Sequence, residues 1–145
     1  MITIFVINCL VVTLAVTVHY EFLSLLTRVS RKMRGPHRLR IVAGVLGAML
    51  AHSIEIWIFA LAYYWINLSG GHGSLIGNFT GSLLDCAYFS FTVFTTLGFG
   101  DIEPTGPLRF MVGLESLTGL LLIAWTASFL YYEMQRFWGE NNTPH

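Results

Sequence analysis

Apolar residues fall along this chain in three long runs and one short one, with polar residues collected between them. The first run, Ile2 to Val18, is almost pure hydrocarbon, and its pattern continues to Leu26. The second covers Ile41 to Asn67 and closes on Tyr63, Tyr64 and Trp65, aromatic residues of the kind that settle at a membrane interface. The third covers Leu108 to Tyr132 and is followed by Phe137 and Trp138. A run of about 25 residues makes a helix of ~37 Å, enough to cross a bilayer with some tilt. The short run, residues 82–94, is rich in Leu, Phe and Tyr and reaches only ~20 Å as a helix. It can enter a hydrocarbon core of ~30 Å but cannot cross it. Ser82 or Asp85 supplies a cap for its first turn.

Composition agrees with the pattern. The 145 residues are 54% hydrophobic and 11% charged, with a mean hydropathy of +0.64, which excludes an ordinary soluble domain. The first run has no basic region ahead of it and no small-residue cleavage site behind it, so it reads as a retained anchor. The net charge is zero, but placement is informative: Arg28, Arg31, Lys32, Arg34, Arg38 and Arg40 are six of the eight basic residues. Such a cluster stays in the cytoplasm. The N-terminus is then outside, the second helix runs outward, the third runs inward, and the C-terminus is cytoplasmic. Residues from about Leu68 to Pro107 face the exterior, opening with a flexible, glycine-rich turret. Asn67-Leu68-Ser69 and Asn78-Phe79-Thr80 match the glycosylation pattern there, a triplet that also arises by chance. Cys9 and Cys86 lie in apolar surroundings without metal-ligand spacing and read as buried small residues. No phosphate-binding loop, nucleophile triad or zinc motif is present, and neither an enzyme nor a nucleic-acid partner is expected.

Between the short run and the third helix stands Thr95-Thr96-Leu97-Gly98-Phe99-Gly100-Asp101. This stretch resembles the selectivity filter of the potassium channel superfamily. From Ile41 to Tyr132 the chain is similar to the pore module of the voltage-gated-like and two-pore-domain potassium channels. In such a filter, carbonyl oxygens turned toward one axis replace the hydration shell of the ion. That needs backbone of alternating hand, which glycine reaches without a Cβ clash, and Gly98 and Gly100 occupy every second position. The resemblance implies K+ sites at the carbonyls of Thr96, Leu97, Gly98, Phe99 and Gly100, with a Thr96 hydroxyl at the inner end. It places Thr95 behind the filter and Asp101 at its outer mouth, and it implies no cofactor beyond the permeant K+ ions. One pore loop per chain supplies a quarter of the ring, so a homotetramer follows. Phe99 stands where Tyr is commonest, losing a hydroxyl that tethers the filter. Leu97 stands where Val or Ile is usual, relaxing the preference for extended backbone. Thr92 occupies a position where some members carry a carboxylate.

The expected fold is therefore an all-α membrane protein with three transmembrane helices, a re-entrant pore helix and a selectivity filter, assembled as a homotetrameric pore. Its parts are an N-terminal transmembrane helix (1–27), a basic cytoplasmic linker (28–40), a pore domain (41–132) and a short cytoplasmic tail (133–145). The pore domain divides into outer helix 41–67, turret 68–81, pore helix 82–94, filter 95–101 and inner helix 107–132.

Several polar or small residues carry two readings each. Glu115 braces the filter or is a hydrogen-bonded group beneath the turret. Gly119 is a gating hinge or a site of close helix packing. Alignment with the family's inner helix turns Leu121, Ala124 and Ser128 toward the cavity. His52 and Glu55, three apart on one helix face, form a proton-sensitive pair or a structural hydrogen bond, and are too few alone to ligate a metal. His19 and Glu21 are expected near the cytoplasmic interface without a special role. The Arg28–Arg40 cluster also suits anionic lipids of the bilayer. No helix carries the spaced arginines of a voltage sensor, and the tail is too short for a ligand-gating domain. The reading is a passive potassium channel subunit; the rivals are a weakly selective cation channel and a non-conducting subunit that kept the fold.

Overall fold

A computed structural model describes residues 2–32 and 37–140. In chain order it contains α1 (Ile2–Lys32), α2 (His37–Ser69), β1 (Leu75–Gly77), α3 (Leu83–Phe94), β2 (Ile102–Pro104) and α4 (Leu108–Glu140). Three of these helices, α1, α2 and α4, are long and apolar enough to cross a membrane. The long helices outrun their apolar cores. The helix in α1 continues through Arg28, Arg31 and Lys32, because basic side chains suit a helix C-terminus as well as they suit a lipid surface. Charge thus marks where the chain leaves hydrocarbon, not where the helix stops. Arg34 lies outside the described residues. At the other end, α4 carries on to Glu140 through residues expected as a tail; residues 141–145, and the side chains of Phe137 and Trp138, lie outside the described residues.

One face of α1, formed by Ile4, Asn8, Ala15, His19 and Leu23, is buried against α2 and α4 of its own chain. The opposite face presents Leu10 and Leu14 outward, as a lipid-facing helix should. Cys86 is buried as expected, whereas Cys9 is exposed on α1.

The core gathers around α3. Phe59 and Tyr63 of α2, Phe89 and Phe94 of α3, and Leu108 and Met111 of α4 are almost wholly buried there. Tyr63 meets Phe89 edge-on at 5.2 Å between ring centroids, a favourable aromatic arrangement. Ser82 is the cap of α3, its side-chain oxygen accepting from the Asp85 amide at 3.1 Å. Asp85 instead ties the preceding loop down, its carboxylate accepting from the Thr80 hydroxyl (2.6 Å) and the Thr80 amide (2.8 Å). Those bonds, the hydroxyl first, hold the Asp85 carboxyl below its ordinary range.

The turret is more structured than a flexible loop. Within it, β1 pairs antiparallel with β2, setting Leu75 opposite Pro104, Ile76 opposite Glu103 and Gly77 opposite Ile102. Leu75 and Ile102 are both buried, and Ser74 and Thr105 exchange backbone and hydroxyl bonds at 2.9–3.0 Å. Two buried apolar residues and a hydrogen-bonded ladder supply what a glycine-rich composition concealed.

Gly119 faces the end of α3 so closely that a Cβ there would run into the Phe94 carbonyl, whereas one at Gly113 would meet nothing within 4 Å. The geometry favours the packing reading of Gly119. Gly119→Ala is expected to destabilise the protein by ~1–3 kcal/mol through overpacking. Gly113→Ala should leave it unchanged or slightly more stable, since alanine is the better helix former. Thermal unfolding of the two variants in detergent, compared with the parent chain, measures the difference.

Candidate functional site

The segment 95–101 starts where α3 runs out. The Thr95, Thr96 and Gly98 amides turn back to the carbonyls of Phe91 (3.1 Å), Val93 (2.9 Å) and Thr92 (3.1 Å). The Thr95 hydroxyl also donates to the Phe91 carbonyl at 2.6 Å. Three of the last four carbonyls of the helix, which have no helical partner, are thereby satisfied. Beyond them the backbone changes hand at every second residue: φ is +61° at Thr96, +51° at Gly98 and +77° at Gly100, and positive at neither Leu97 nor Phe99. In a regular strand successive carbonyls point to opposite sides; alternating hand swings them toward the same side. Thr96 is the costly member, since a β-branched residue in the left-handed region stores ~1–3 kcal/mol of strain. The sequence reading placed left-handed backbone at the two glycines and missed Thr96. All six residues 95–100 are exposed on the single chain, Leu97 at 64% and Phe99 at 65%.

Tyr88 holds the C-terminal end of this segment. Its ring stacks on Phe99 at 6.4 Å and 9° between planes, and its hydroxyl donates to Asp101 Oδ2 at 2.9 Å. The phenol absent from position 99 is thus replaced by one on α3, a role sequence reasoning did not assign. The available signal was an aromatic residue two turns before the helix end. Thr92 contributes through its backbone, because its hydroxyl donates within its own helix to the Phe89 carbonyl at 2.8 Å.

Glu115 is fully buried and receives hydrogen bonds from the Tyr63 and Ser90 hydroxyls. The same Ser90 oxygen lies 2.9 Å from the Ile56 carbonyl. One carboxyl group therefore joins α2, α3 and α4. Its hydrogen bonds run to α2 and α3, not to the segment 95–101. Leu121, Ala124 and Ser128 are all exposed on α4.

A second polar cluster lies away from residues 95–101. Glu55, fully buried, places Oε1 2.8 Å from His19 Nδ1 and Oε2 2.8 Å from His52 Nδ1. Thr126 Oγ1 stands 3.1 Å from His52 Nε2 and 3.5 Å from His19 Nε2. His19, expected near the cytoplasmic interface without a special role, is instead buried at 0% exposure and bonded to Glu55. Its place on the Ile4, Asn8, Ala15 stripe of α1 was the signal that could have found it. With His19 added, His52 and Glu55 become a set of three groups able to hold a metal ion.

Three apolar helices long enough to span, a half-length helix among them and exposed residues of alternating backbone hand beyond it fit an all-α membrane protein of the channel class. The family model described as "Ion channel" matches residues 51–136, and the chain belongs to that family. It is a channel-family chain and not an enzyme. It is similar to the inward rectifier potassium channel Kirbac3.1 of Paramagnetospirillum magnetotacticum, with 38% identity over 81 residues. That alignment covers 54% of this chain and 25% of the relative, so the chain spans about a quarter of the relative's length. No solved structure matches the chain. The two matches bear out the resemblance to the potassium channel superfamily.

Glu115→Ala leaves the buried Tyr63 hydroxyl short of an acceptor, while Ser90 keeps the Ile56 carbonyl, and Glu115→Gln keeps an oxygen within reach of Tyr63. The alanine variant is expected to lose ~1–3 kcal/mol more stability than the glutamine variant. Comparing their unfolding midpoints in detergent checks this, and equal midpoints would contradict the bracing geometry.

Proposed function

We propose that the chain is one subunit of a homotetrameric channel that conducts potassium passively and selectively. In this reading α2 is the outer helix, α3 the re-entrant pore helix, 95–101 the filter and α4 the inner helix. The observation that carries it is the change of hand at Thr96, Gly98 and Gly100 in a chain of the ion channel family. The carbonyls of Thr96, Leu97, Gly98, Phe99 and Gly100 then replace the water around each K+ ion. The C-terminal end of α3 points its negative dipole end at the same ions. Similarity to a potassium channel supports the choice of ion.

Assembly follows from what hydrocarbon forbids. Irregular backbone at membrane depth is tolerated only against protein or a watery path, and residues 95–100 are uncovered on the single chain. Further copies around a central axis cover them, and the pore module supplies one quarter of such a ring. Leu121, Ala124 and Ser128 then line the inner cavity. The basic cluster, with Arg28, Arg31, Lys32, Arg38 and Arg40, sets the α1–α2 junction in the cytoplasm beside anionic lipid headgroups, with the N-terminus outside and the C-terminus inside.

The test is ion flux from purified protein in liposomes, with potassium inside and sodium outside, and then the gradient reversed. Flux strongly favouring potassium is expected. Comparable fluxes would make the protein a weakly selective cation channel, the rival that the departures at Leu97 and Phe99 raise. Absence of flux under both gradients from correctly assembled protein would point to a non-conducting subunit.

A narrower prediction concerns Tyr88. Tyr88→Phe keeps the ring stacked on Phe99 but frees Asp101, so the oligomer should form normally while potassium-over-sodium selectivity falls several-fold. Unaltered reversal potentials in that variant would remove Tyr88 from the filter's support.

A further inference from the structure

Ion conduction along residues 95–101 makes no use of His19, His52 or Glu55, yet these groups are brought together from separate helices at membrane depth. His19 comes from α1, His52 and Glu55 from α2, and Thr126, which closes the cluster, from α4. The side chains of His19 and Glu55 are fully buried, and that of His52 is 18% exposed. Polar groups so placed are costly unless they have a task or full partners.

Counting protons shows that the cluster is not closed by its neutral imidazoles alone. With both Nδ1 atoms protonated, Glu55 accepts two bonds at 2.8 Å. Two bare Nε2 atoms then face the single hydroxyl proton of Thr126, at 3.1 and 3.5 Å, and one remains unserved. Moving each ring proton to Nε2 reverses the balance. Thr126 Oγ1 has two lone pairs and can accept from both rings. On the other side, two imidazole nitrogens and both carboxylate oxygens are left bare, each nitrogen facing its own oxygen at 2.8 Å.

We propose that His19, His52 and Glu55 bind a divalent first-row transition cation of the zinc type. Two imidazoles and one carboxylate are a zinc ligand set, with a fourth position left for water. Thr126 acts as a positioning residue, fixing both ring tautomers from the outer sphere as metal-bound histidines require. One ligand atom from each of the three residues lies within 4.8 Å of the others. Bonds of ~2.0–2.1 Å in a tetrahedron space the ligands by ~3.3 Å, so a histidine nitrogen now 2.8 Å from its carboxylate oxygen opens by ~0.5 Å and the remaining ligand atoms, within 4.8 Å, close by up to ~1.5 Å. The partly exposed edge of His52 gives the ion a way in. Once bound, the ion joins α1 to α2, with α4 held through Thr126. The proposal rests on the fold alone and stands whether or not the chain selects potassium.

The experiment uses the full chain in detergent, without an affinity tag, stripped with a chelator and then equilibrated with Zn2+ or Co2+. Elemental analysis after desalting is expected to give one metal per chain. The cobalt form should show the strong visible absorption of a four-coordinate nitrogen–oxygen site, and zinc should raise the thermal midpoint. His19→Gln and Glu55→Gln should each abolish the absorption and the zinc-dependent rise, while His72→Gln, remote in sequence from the cluster, keeps both. Thr126→Val should still bind, about 10–100-fold more weakly. Gel filtration of the metal-free variants checks folding, and the parent chain's cobalt spectrum decides the matter even if a variant fails to fold. A parent chain that takes up neither metal has a purely protonic cluster, and the proposal falls. Metal uptake that survives both His19→Gln and Glu55→Gln overturns it equally, by placing the ion elsewhere.

Discussion

The Glu115 carboxyl group is the point at which three helices are fastened together. Tyr63 reaches it from α2 and Ser90 from α3, while Glu115 itself belongs to α4. In hydrocarbon a buried polar group must find its partners inside the protein, so this contact has few alternatives. It fixes how far along α2 and α4 the short helix sits. A slip of one turn would move α3 by about 5.4 Å and strand all three groups. Gly119 fixes the inner end by letting α4 lie directly against the Phe94 carbonyl. The height at which residues 95–101 begin is set by these two contacts together.

The strained backbone beyond α3 is then gripped from both ends. On the inner side, amides of Thr95, Thr96 and Gly98 occupy the carbonyls left open by the helix. On the outer side, the Asp101 carbonyl accepts from the Asn78 amide at 2.8 Å, and the Asp101 side chain accepts from Tyr88. The β1–β2 ribbon continues that outer grip toward α4. Strain at Thr96 persists because the residues on both sides of it are already committed.

Much of this was legible in the sequence. The three spans and the half-length helix could be read because hydrocarbon imposes a length on anything that crosses it. Ser82 was legible as a cap, and Gly98 and Gly100 as left-handed positions. What escaped has physical reasons. The strands Leu75–Gly77 and Ile102–Pro104 are three residues each, too short for an alternating pattern to show. His19 sits on a helix whose buried and exposed sides are both largely apolar, so the stripe it shares with Asn8 is faint in the sequence. The ends of α1 and α4 run through charged residues that are good helix formers, so charge and helix boundary part company there. Tyr88 and Asp101 are thirteen residues apart, a pairing visible only once the chain has turned back on itself. The number of copies in the assembly was read from resemblance and not from any residue.

The uncovered backbone of residues 95–100 also bears on how the protein is made and cleared. In the homotetramer proposed above, a newly inserted copy that has not yet met the others has residues 95–100 uncovered at a depth where each unsatisfied amide or carbonyl costs several kcal/mol. Its survival becomes a race between encounter with sister chains and recognition by membrane proteases. Abundance of the finished assembly should therefore rise more steeply than synthesis rate, and a poorly expressed copy is lost mainly to turnover.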